Sequence, residues 1–361
     1  MSTASAAPSS RSGGVSGGSI MAFIQDALQS VGLPEADAQK VAVLMAEADL
    51  TGADAHGIFR MPQYVQRIQS GGINPQPAIK VNRTAPATAL VDGDNGMGHL
   101  VMSRAAESAI EMARETGVAW VGAHHSNHAG PAALYASMPV EHGMIGLYSA
   151  VASANHMAVW GGVEALLGTN PLAVGIPAGD EPPVLLDIAT TMVSYGTIKN
   201  YALQGKEIPE GWMFNRADGK PLTDPRRSSE GLLLPIGGYK GSGLALVLGL
   251  LAGTLNGAAF GRDVVDFNAD TTTVTNTGHF IVAVDVSRFT PLDAFKAEVD
   301  RHLRDLRNSE RLPGVDEIRI PGEQREARRH NRSRDGVPLS PELIKKLDEL
   351  ASRLGIPPLQ R

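Results

Sequence analysis

Apolar positions in the first seventy residues recur with the spacing of helices. One helical face is marked over residues 20–31, and Gly32 follows its last apolar position. Pro34 opens a second helix, because proline suits the first helical position, where no N–H is needed. A third, short helix is predicted over residues 59–70, with Pro62 in its first turn. The chain is therefore expected to begin with a helical region.

The pattern changes after residue 77, where short apolar runs alternate with turns. Strands are predicted at residues 88–92, 118–122, 144–150, 184–188 and 280–286. Helical patterns are predicted at residues 100–116, 292–306 and 341–354. The chain termini of a domain often lie close together, so the two helical ends are expected to share one domain.

These patterns predict an α+β protein. Residues 19–76 and 290–361 would form a helical domain around a domain of mixed sheet and helices at residues 77–289. Residues 1–18 are rich in Ser, Ala and Gly and lack the apolar run of a secretory signal, so a disordered tail is expected there.

The composition narrows the class of protein. With 43% hydrophobic and 19% charged residues, the 361-residue chain is of the globular type and long enough for two domains. The net charge of -6 gives no sign of a nucleic-acid partner. The absence of cysteine excludes disulfides, thiol catalysis and cysteine-ligated metal. We expect a cytoplasmic location, since nothing in the chain needs an oxidising compartment.

Residues 241–261 carry no charged side chain and so imitate a membrane span. Small residues recur there at every fourth position, namely Gly241, Ala245, Gly249, Gly253, Gly257 and Gly261. Polar Ser242, Thr254 and Asn256 interrupt the stretch, and its glycines lower its hydrophobicity. We therefore predict a buried, tightly packed helix and no membrane partner.

Three histidines, His124, His125 and His128, lie within five residues after the predicted strand at 118–122. Strand-to-helix turns are common places for chemistry, and histidine exchanges protons near neutral pH. We interpret His124 and His125 as ordinary polar loop residues and assign a functional role to His128.

His56, Arg60 and Tyr64 recur every four residues and would share one side of a helix or of its leading turn. A guanidinium can bind a carboxylate through two hydrogen bonds while an imidazole handles a proton on the adjacent oxygen. This pair suits a 2-oxo or 2-hydroxy acid. A surface His and Arg that cap a helix are the alternative.

The usual nucleotide motifs are missing. Neither G-x-G-x-x-G after a first strand nor a P-loop occurs in the chain. Polar turns instead follow apolar segments at residues 161–171 and 187–191. At residues 235–241, glycines would permit close backbone approach, and Lys240 could meet a phosphate.

Taken in order, the motifs D-x-H-G-x-x-R, S-N-H-x-G, G-T-N-P, D-x-A-T and G-G-Y-K-G resemble the malate/L-lactate dehydrogenase family that lacks a Rossmann fold. The resemblance covers about residues 20–355. It implies an NAD- or NADP-dependent oxidoreductase, usually a homodimer, with a cofactor domain of unusual topology beside a helical domain.

The resemblance also implies roles for single residues. His128 matches the acid/base of the ureidoglycolate branch, His56 the proton donor of the imine-reductase branch, and Arg60 the arginine that holds the substrate carboxylate. The positions that match cofactor contacts are Ser153, Asp187, Ile188, Ala189 and Lys240. Further substrate contacts are expected from Tyr64, Thr169 and Asn170. Ala55 stands where family members commonly have Ser or Thr, which favours His128 over His56 as the acid/base.

Three functions are weighed. The leading one is hydride transfer between NAD(P) and C2 of a small 2-hydroxy or 2-oxo acid, without a metal. The second is reduction of a cyclic imine-2-carboxylate. The third, of another class, is a metal-dependent hydrolase or lyase, in which His124 and His128 at i and i+4 would bind the metal with His56 or His156.

Overall fold

A computed structural model describes residues 14–361, apart from the side chain of Leu203. Its helices are α1 (Gly17–Ser30), α2 (Glu35–Leu50), α3 (Met61–Gln69), α4 (Gly98–Thr116), α5 (Ala133–Ala136), α6 (Tyr195–Leu203), α7 (Tyr239–Ala252), α8 (Leu292–Arg307), α9 (Glu323–Asp335) and α10 (Pro341–Leu354). Its strands are β1 (Lys80–Ala85), β2 (Thr88–Asp92), β3 (Val118–Ser126), β4 (Met144–Ala150), β5 (Leu172–Ile176), β6 (Val184–Ile188), β7 (Met213–Asn215), β8 (Gly231–Leu233) and β9 (Thr277–Asp285).

Seven strands form one mixed sheet in the order β1-β2-β3-β9-β4-β5-β6. Strands β2 and β3 run parallel, and every other neighbouring pair in this sheet is antiparallel. The last strand in the chain, β9, lies between β3 and β4, so the sheet closes only when distant parts of the chain meet. This mixed sheet with helices confirms the α+β class.

Two apolar cores lie on either side of the candidate active site that is described below. Helices α1, α2, α3 and α10 bury one core, which includes Ile24, Met45 and Tyr64. Helix α4 packs on the sheet to form the other, with Val121 and Ile281 facing it from neighbouring strands. The apolar positions of the N-terminal helices and those of the sheet strands are therefore buried in separate cores.

The C-terminal helices do not all join the helical core. Leu347 and Leu350 of α10 lie in the core of the N-terminal helices, as the sequence indicates. Helix α8 instead lies beside the β5–β6 turn, where the Asp300 carboxylate accepts bonds from the N–H groups of Gly179 (2.9 Å) and Asp180 (2.8 Å). The division into two domains at residues 77 and 289 stays a prediction.

The N-terminal segment is ordered earlier than the sequence indicates. Val15 is buried and pairs with Val337, and α1 begins at Gly17. The rest of the expected tail, residues 1–13, lies outside the described residues. Pairing with Val337 therefore fixes the start of the described chain against the segment between α9 and α10.

The arginine-rich run at residues 325–334 lies in helix α9. Arg329 forms an ion pair with Glu47 of α2 at 3.0 Å. Arg332 donates to the backbone oxygen of Asp49 and to the carboxylate of Asp54. The run thus fastens the end of α2 and the turn that follows it.

Helix α7 is packed on one side and exposed on the other. Gly241, Ala245 and Gly249 lie on its buried side, and an added methyl group at Gly249 would lie 2.2 Å from the Phe260 ring. The helix ends at Ala252, so the small residues at 257 and 261 fall in turns, contrary to the continuous row that the sequence suggests. Among the helices at residues 14–361, none is long and apolar enough to cross a membrane.

Replacement of Gly253 by leucine is expected to lower the melting temperature. Gly253 follows the last residue of α7, and a Cβ atom there would lie 2.8 Å from the Gly249 oxygen and 2.9 Å from the Ala259 oxygen. Overpacking of this kind typically costs about 1–3 kcal/mol. Gly243→Leu on the same helix is the control, since a Cβ at Gly243 meets no atom within 4 Å. Equal melting curves for the two variants would contradict tight packing at Gly253.

Candidate active site

The turn between α2 and α3 carries His56 and Arg60 on two short 3-10 segments, Asp54–His56 and Ile58–Arg60. The buried carboxylate of Asp49 accepts a 2.8 Å hydrogen bond from the Ile58 N–H. A Cβ on Gly57 would lie 2.0 Å from the same carboxylate, so only glycine fits there. Asp49 thereby sets the path of the backbone from His56 to Arg60.

Arg60 is held in place by two hydrogen bonds. Its Nε donates to the Ala55 oxygen at 2.8 Å, and its Nη1 donates to the side-chain oxygen of Asn268 at 2.9 Å. These bonds fix the plane of the guanidinium and leave other N–H groups for a ligand. The side chain is only partly exposed, as a ligand-binding arginine in a pocket would be.

Asn127 fixes the turn after β3. Its side chain is fully buried, and its Nδ2 donates to the backbone oxygens of Asn95 (3.1 Å) and Gly96 (3.0 Å). Its Oδ1 accepts from the Thr275 hydroxyl at 3.0 Å. With every polar atom of Asn127 paired, the next residue, His128, has a defined position.

His128 meets the residues of the α2–α3 turn. The Tyr64 hydroxyl lies 2.5 Å from Nδ1 of His128. The rings of His56 and His128 stack with centroids 5.4 Å apart and planes at 10°. Phe267 borders the same ring with a centroid distance of 5.6 Å. Tyr64 engages Nδ1 and leaves Nε2 as the nitrogen that can exchange a proton with a ligand.

The surroundings keep these imidazoles neutral. Burial, followed by the positive charge of Arg60, lowers the pKa of His128 well below its ordinary value and that of His56 to about 4. Burial likewise lowers the pKa of His99 to about 3 and of His279 to about 4. At neutral pH the cluster therefore holds neutral imidazoles beside one cation, Arg60. An anion at Arg60 would make protonation of His128 easier.

The sequence pattern did not single out Lys199 of α6, a second cation whose pKa responds to the charge of Arg60. Lys199 lies 5.5 Å from the centre of the Tyr195 ring, which stacks on His156 at 4.1 Å. Burial, then the charge of Arg60, lowers the pKa of Lys199, while Asp266 opposes that shift. Tyr195 and Lys199 lie on α6, for which the sequence offers no clear periodic pattern. The fold brings α6 to the α2–α3 turn, where a Cβ added at Gly196 would lie 3.2 Å from the Ala55 Cβ.

Three of the polar segments noted in the sequence meet at Thr190. The Thr190 N–H and hydroxyl both donate to the Thr169 oxygen at 2.9 Å. The Thr190 oxygen accepts from the Ile236 N–H at 3.0 Å. The turn after β6 is thus joined to the segment at 168–170 and to the segment that leads into α7.

The candidate cofactor residues lie along this junction. Asp187, Ile188 and Ala189 lie at the end of β6, and Asp187 accepts a 2.9 Å bond from the Ala133 N–H at the start of α5. Ser153 lies beside the histidine cluster, because its backbone oxygen accepts from the Phe267 N–H at 2.9 Å. Lys240 is exposed in the first turn of α7.

The start of α7 fits the diphosphate of a dinucleotide. Gly237 and Gly238 have φ angles of 58° and 67°, a backbone conformation that favours glycine. The N–H of Gly241 already donates to the Ile236 oxygen at 2.9 Å, so the amides offered at the positive end of the helix are those of Tyr239 and Lys240. The Lys240 side chain adds a full positive charge. The donors present therefore match an anionic phosphate group.

Asn170 was expected to contact substrate, but its side chain lies in the protein interior. Its side chain is fully buried, with Oδ1 accepting from the Ala152 N–H at 3.0 Å and Nδ2 donating to the Ala245 oxygen at 2.8 Å. Both polar atoms are thereby used to join α7 to the end of β4. We assign Asn170 a structural role. Thr169 is half-buried and stays a candidate for substrate contact.

The histidine pair proposed for a metal-dependent hydrolase does not form in the described chain. Strand β3 continues to Ser126, so His124 lies on the strand while His128 follows it in the turn. Over residues 14–361, the one group of three or more side chains with metal-ligand geometry is Asp92, His124 and His125, and it excludes His128 and His56. The geometry therefore disfavours that third function.

The chain resembles known proteins over nearly its whole length. The family model of malate/L-lactate dehydrogenase matches residues 15–348. The malate dehydrogenase of Pyrococcus abyssi is 38% identical over 94% of this chain and 95% of its own. The solved sulfolactate dehydrogenase of Methanocaldococcus jannaschii is 37% identical, with a TM-score of 0.88 over 95% of this chain and 97% of its own.

A relative named for another reaction also matches. The Pseudomonas putida Δ1-pyrroline-2-carboxylate/Δ1-piperideine-2-carboxylate reductase is 33% identical over 92% of this chain and 95% of its own. The matches extend over the helical core, the mixed sheet and the histidine cluster alike. The chain therefore belongs to the malate/L-lactate dehydrogenase family.

Proposed function

We propose that this enzyme transfers a hydride between NAD(P) and C2 of a small 2-hydroxy acid that carries a second anionic group, with His128 as the acid/base and Arg60 as the carboxylate ligand. Family membership makes the chain an NAD(P)-dependent oxidoreductase of 2-hydroxy acids. The observation that carries the residue assignment is the stacked pair of His56 and His128 beside Arg60.

The assignment of His128 rests on its partner. With the proton on Nδ1, His128 donates to the Tyr64 hydroxyl oxygen, and the lone pair on Nε2 takes the proton from the C2 hydroxyl during oxidation. A neutral imidazole is needed for that step, and burial beside Arg60 keeps His128 neutral. In the described chain, His56 has a stacking contact but no comparable hydrogen bond to fix its tautomer. The bound nicotinamide supplies or accepts the hydride.

Arg60 and Lys199 support a substrate with two anionic groups. Helix α6, which carries Lys199, lies against the turn that carries Arg60, since a Cβ added at Gly196 would lie 3.2 Å from the Ala55 Cβ. Burial, then the charge of Arg60, lowers the pKa of Lys199. Arg60 would bind the C1 carboxylate through two hydrogen bonds, since its plane is already fixed. Lys199 would meet the second anionic group as a point charge. The relatives named for malate and sulfolactate act on acids of this kind.

The cofactor would lie along the β6–α7 junction. Lys240 and the first amides of α7 would hold the diphosphate, while Asp187, Ile188 and Ala189 line the turn beside it. The Ser153 oxygen accepts from the N–H of Phe267, whose ring borders His128, so Ser153 would contact the nicotinamide end of the cofactor. Neither NAD nor NADP is favoured by these contacts.

The assembly is proposed to be a homodimer that forms through α7. Val247 (52% exposed) and Leu250 (41% exposed) lie on the outward side of this helix beside Leu246 and Tyr239. Contiguous exposed apolar surface of this kind marks an association site. A light-scattering mass of one chain in solution would contradict the dimer. The cytoplasmic location stays a prediction from the sequence.

The substrate class is tested with oxaloacetate, pyruvate and Δ1-piperideine-2-carboxylate, each with NADH and NADPH, followed by loss of absorbance at the nicotinamide band. We expect oxaloacetate to be reduced best.

Arg60→Lys should weaken the binding of every substrate by about 1.5–3 kcal/mol, the range for hydrogen bonds to charged groups. Lys199→Met should raise the Michaelis constant for oxaloacetate alone.

The panel separates the alternatives. Turnover of the cyclic imine without turnover of either 2-oxo acid would establish the second function instead. Unchanged Michaelis constants in Arg60→Lys would exclude the carboxylate role of Arg60. A Lys199→Met enzyme that keeps its preference for oxaloacetate over pyruvate would place the second anionic group elsewhere.

His128→Ala is expected to lower kcat by about 100- to 10,000-fold, the usual contribution of a positioned acid or base. The fold and the cofactor affinity should survive, while the melting temperature should fall because Tyr64 loses its bond to His128. Because the pKa of His128 is lowered, kcat/KM for oxidation should fall only below pH 6.5, where His128 gains a proton. His56→Ala is measured beside it. Near-normal turnover in His128→Ala together with loss in His56→Ala would exchange the two roles.

Lys240→Ala is expected to weaken binding of both NADH and NADPH by about tenfold or more, because a hydrogen bond to a charged group contributes about 1.5–3 kcal/mol. Calorimetric titration of each reduced cofactor measures the effect. Lys220→Ala, which removes an exposed lysine beside Asp218, is the control. Wild-type affinity in Lys240→Ala would rule out the phosphate role, whatever the substrate is.

A further inference from the structure

Asp92, His124 and His125 form a compact group outside the active-site cluster. They lie at the carboxyl ends of the parallel strands β2 and β3, where Asp92 and His124 are register partners. One ligand atom from each of the three side chains lies within 4.8 Å of the other two. The sequence could not reveal this group, because its carboxylate comes from a strand that ends 32 residues before His124.

The backbone turns both imidazoles to one side. Consecutive residues of a regular strand point to opposite faces. His125 breaks this alternation with a φ of 45°, a left-handed conformation that is unusual for a residue other than glycine. As a result the His124 and His125 rings stack with centroids 4.3 Å apart. Strained backbone of this kind is enriched at functional sites.

Hydrogen bonds fix this arrangement. The N–H of His125 donates to the side-chain oxygen of Asn276 at 2.7 Å. The oxygens of His124 and His125 accept from the N–H groups of Gly93 at 3.0 Å and Asn95 at 2.8 Å. Both strand ends are therefore held together independently of the three side chains. Such preorganisation is what a small ligand-binding group requires.

The donor atoms indicate the ligand. Asp92 Oδ1 and His125 Nδ1 are 3.1 Å apart, near the roughly 3.3 Å that separates two ligands of a tetrahedral zinc ion with bonds of about 2.0–2.1 Å. Two imidazoles and one carboxylate favour zinc-class ions over Mg²⁺ and Ca²⁺, which prefer oxygen ligands. We propose that Asp92, His124 and His125 bind one divalent zinc-class cation, with water as the remaining ligand.

The position of the group suggests a bracing role. The β2–α4 loop at Asn95 and Gly96 accepts the hydrogen bonds of Asn127, the residue before His128. A cation that links Asp92 to His124 and His125 would tie that loop to the end of β3 a second time. Its binding would stabilise the folded chain without contacting substrate.

The test is calorimetric titration of the full chain with ZnCl₂ after treatment with a chelator, together with melting curves with and without zinc. We expect one zinc ion per chain and a higher melting temperature when zinc is present. Asp92→Asn keeps the oxygen that accepts from the Asp94 N–H. His125→Asn keeps a residue that tolerates left-handed backbone. His142→Asn, an exposed histidine on the 3-10 turn Pro139–His142, is the control.

Asp92→Asn and His125→Asn should bind zinc at least about tenfold more weakly, because even outer-shell changes at metal sites typically cost 10–100-fold. Their melting temperatures without zinc should match the wild type. Zinc affinity that is equal in all variants, or that is lost only in His128→Ala, would overturn the proposal. The absence of binding to the wild type would leave Asp92 and His125 as a simple hydrogen-bonded pair and would also overturn it.

Discussion

The hydrogen bond between Tyr64 and His128 joins the two cores of this molecule. Tyr64 is fully buried in the core of the N- and C-terminal helices, whereas His128 follows a strand whose side chains fill the core of the sheet. The rings of His99 and Phe267 meet the Tyr64 ring edge-on, at 5.7 Å each. His56 and Arg60 lie on the turn that leads into the helix of Tyr64, and His128 follows β3, so this junction sets their separation.

Electrostatics at the junction follow from burial. Burial destabilises the charged form of an imidazole and so lowers its pKa. The positive charge of Arg60 lowers the pKa of His56 and His128 further. Burial also raises the pKa of Asp49 to about 7, although its bond from the Ile58 N–H opposes the shift. Arg332 of α9 binds the backbone of Asp49 and the Asp54 carboxylate. The C-terminal part of the chain therefore supports the turn that carries His56 and Arg60.

Prediction from the sequence succeeded where the signal is local. The bounds of β2, β4, β6 and α10 match the apolar runs and the helical periodicity that predict them. Strand β1 was missed because it is an edge strand whose residues are nearly all exposed, which leaves no alternation to detect. The bounds of helix α8 were predicted to within one residue, but its contact with the β5–β6 turn left no signal, since periodicity marks an apolar face without naming what covers it.

By itself the sequence determined which residue types are available and, through the order of its motifs, the family to which the chain belongs. It also marked His56, Arg60 and Tyr64 as neighbours, because a spacing of four places side chains together within one helix or turn. Only the tertiary structure decided that His128 stacks on His56, that α6 lies against the turn that carries Arg60, and that Asn170 is used for packing. It also brought Asp92 to His124 and His125. The physical reason is that these contacts join segments far apart in the chain, and their geometry is set by how separate cores pack rather than by any local pattern.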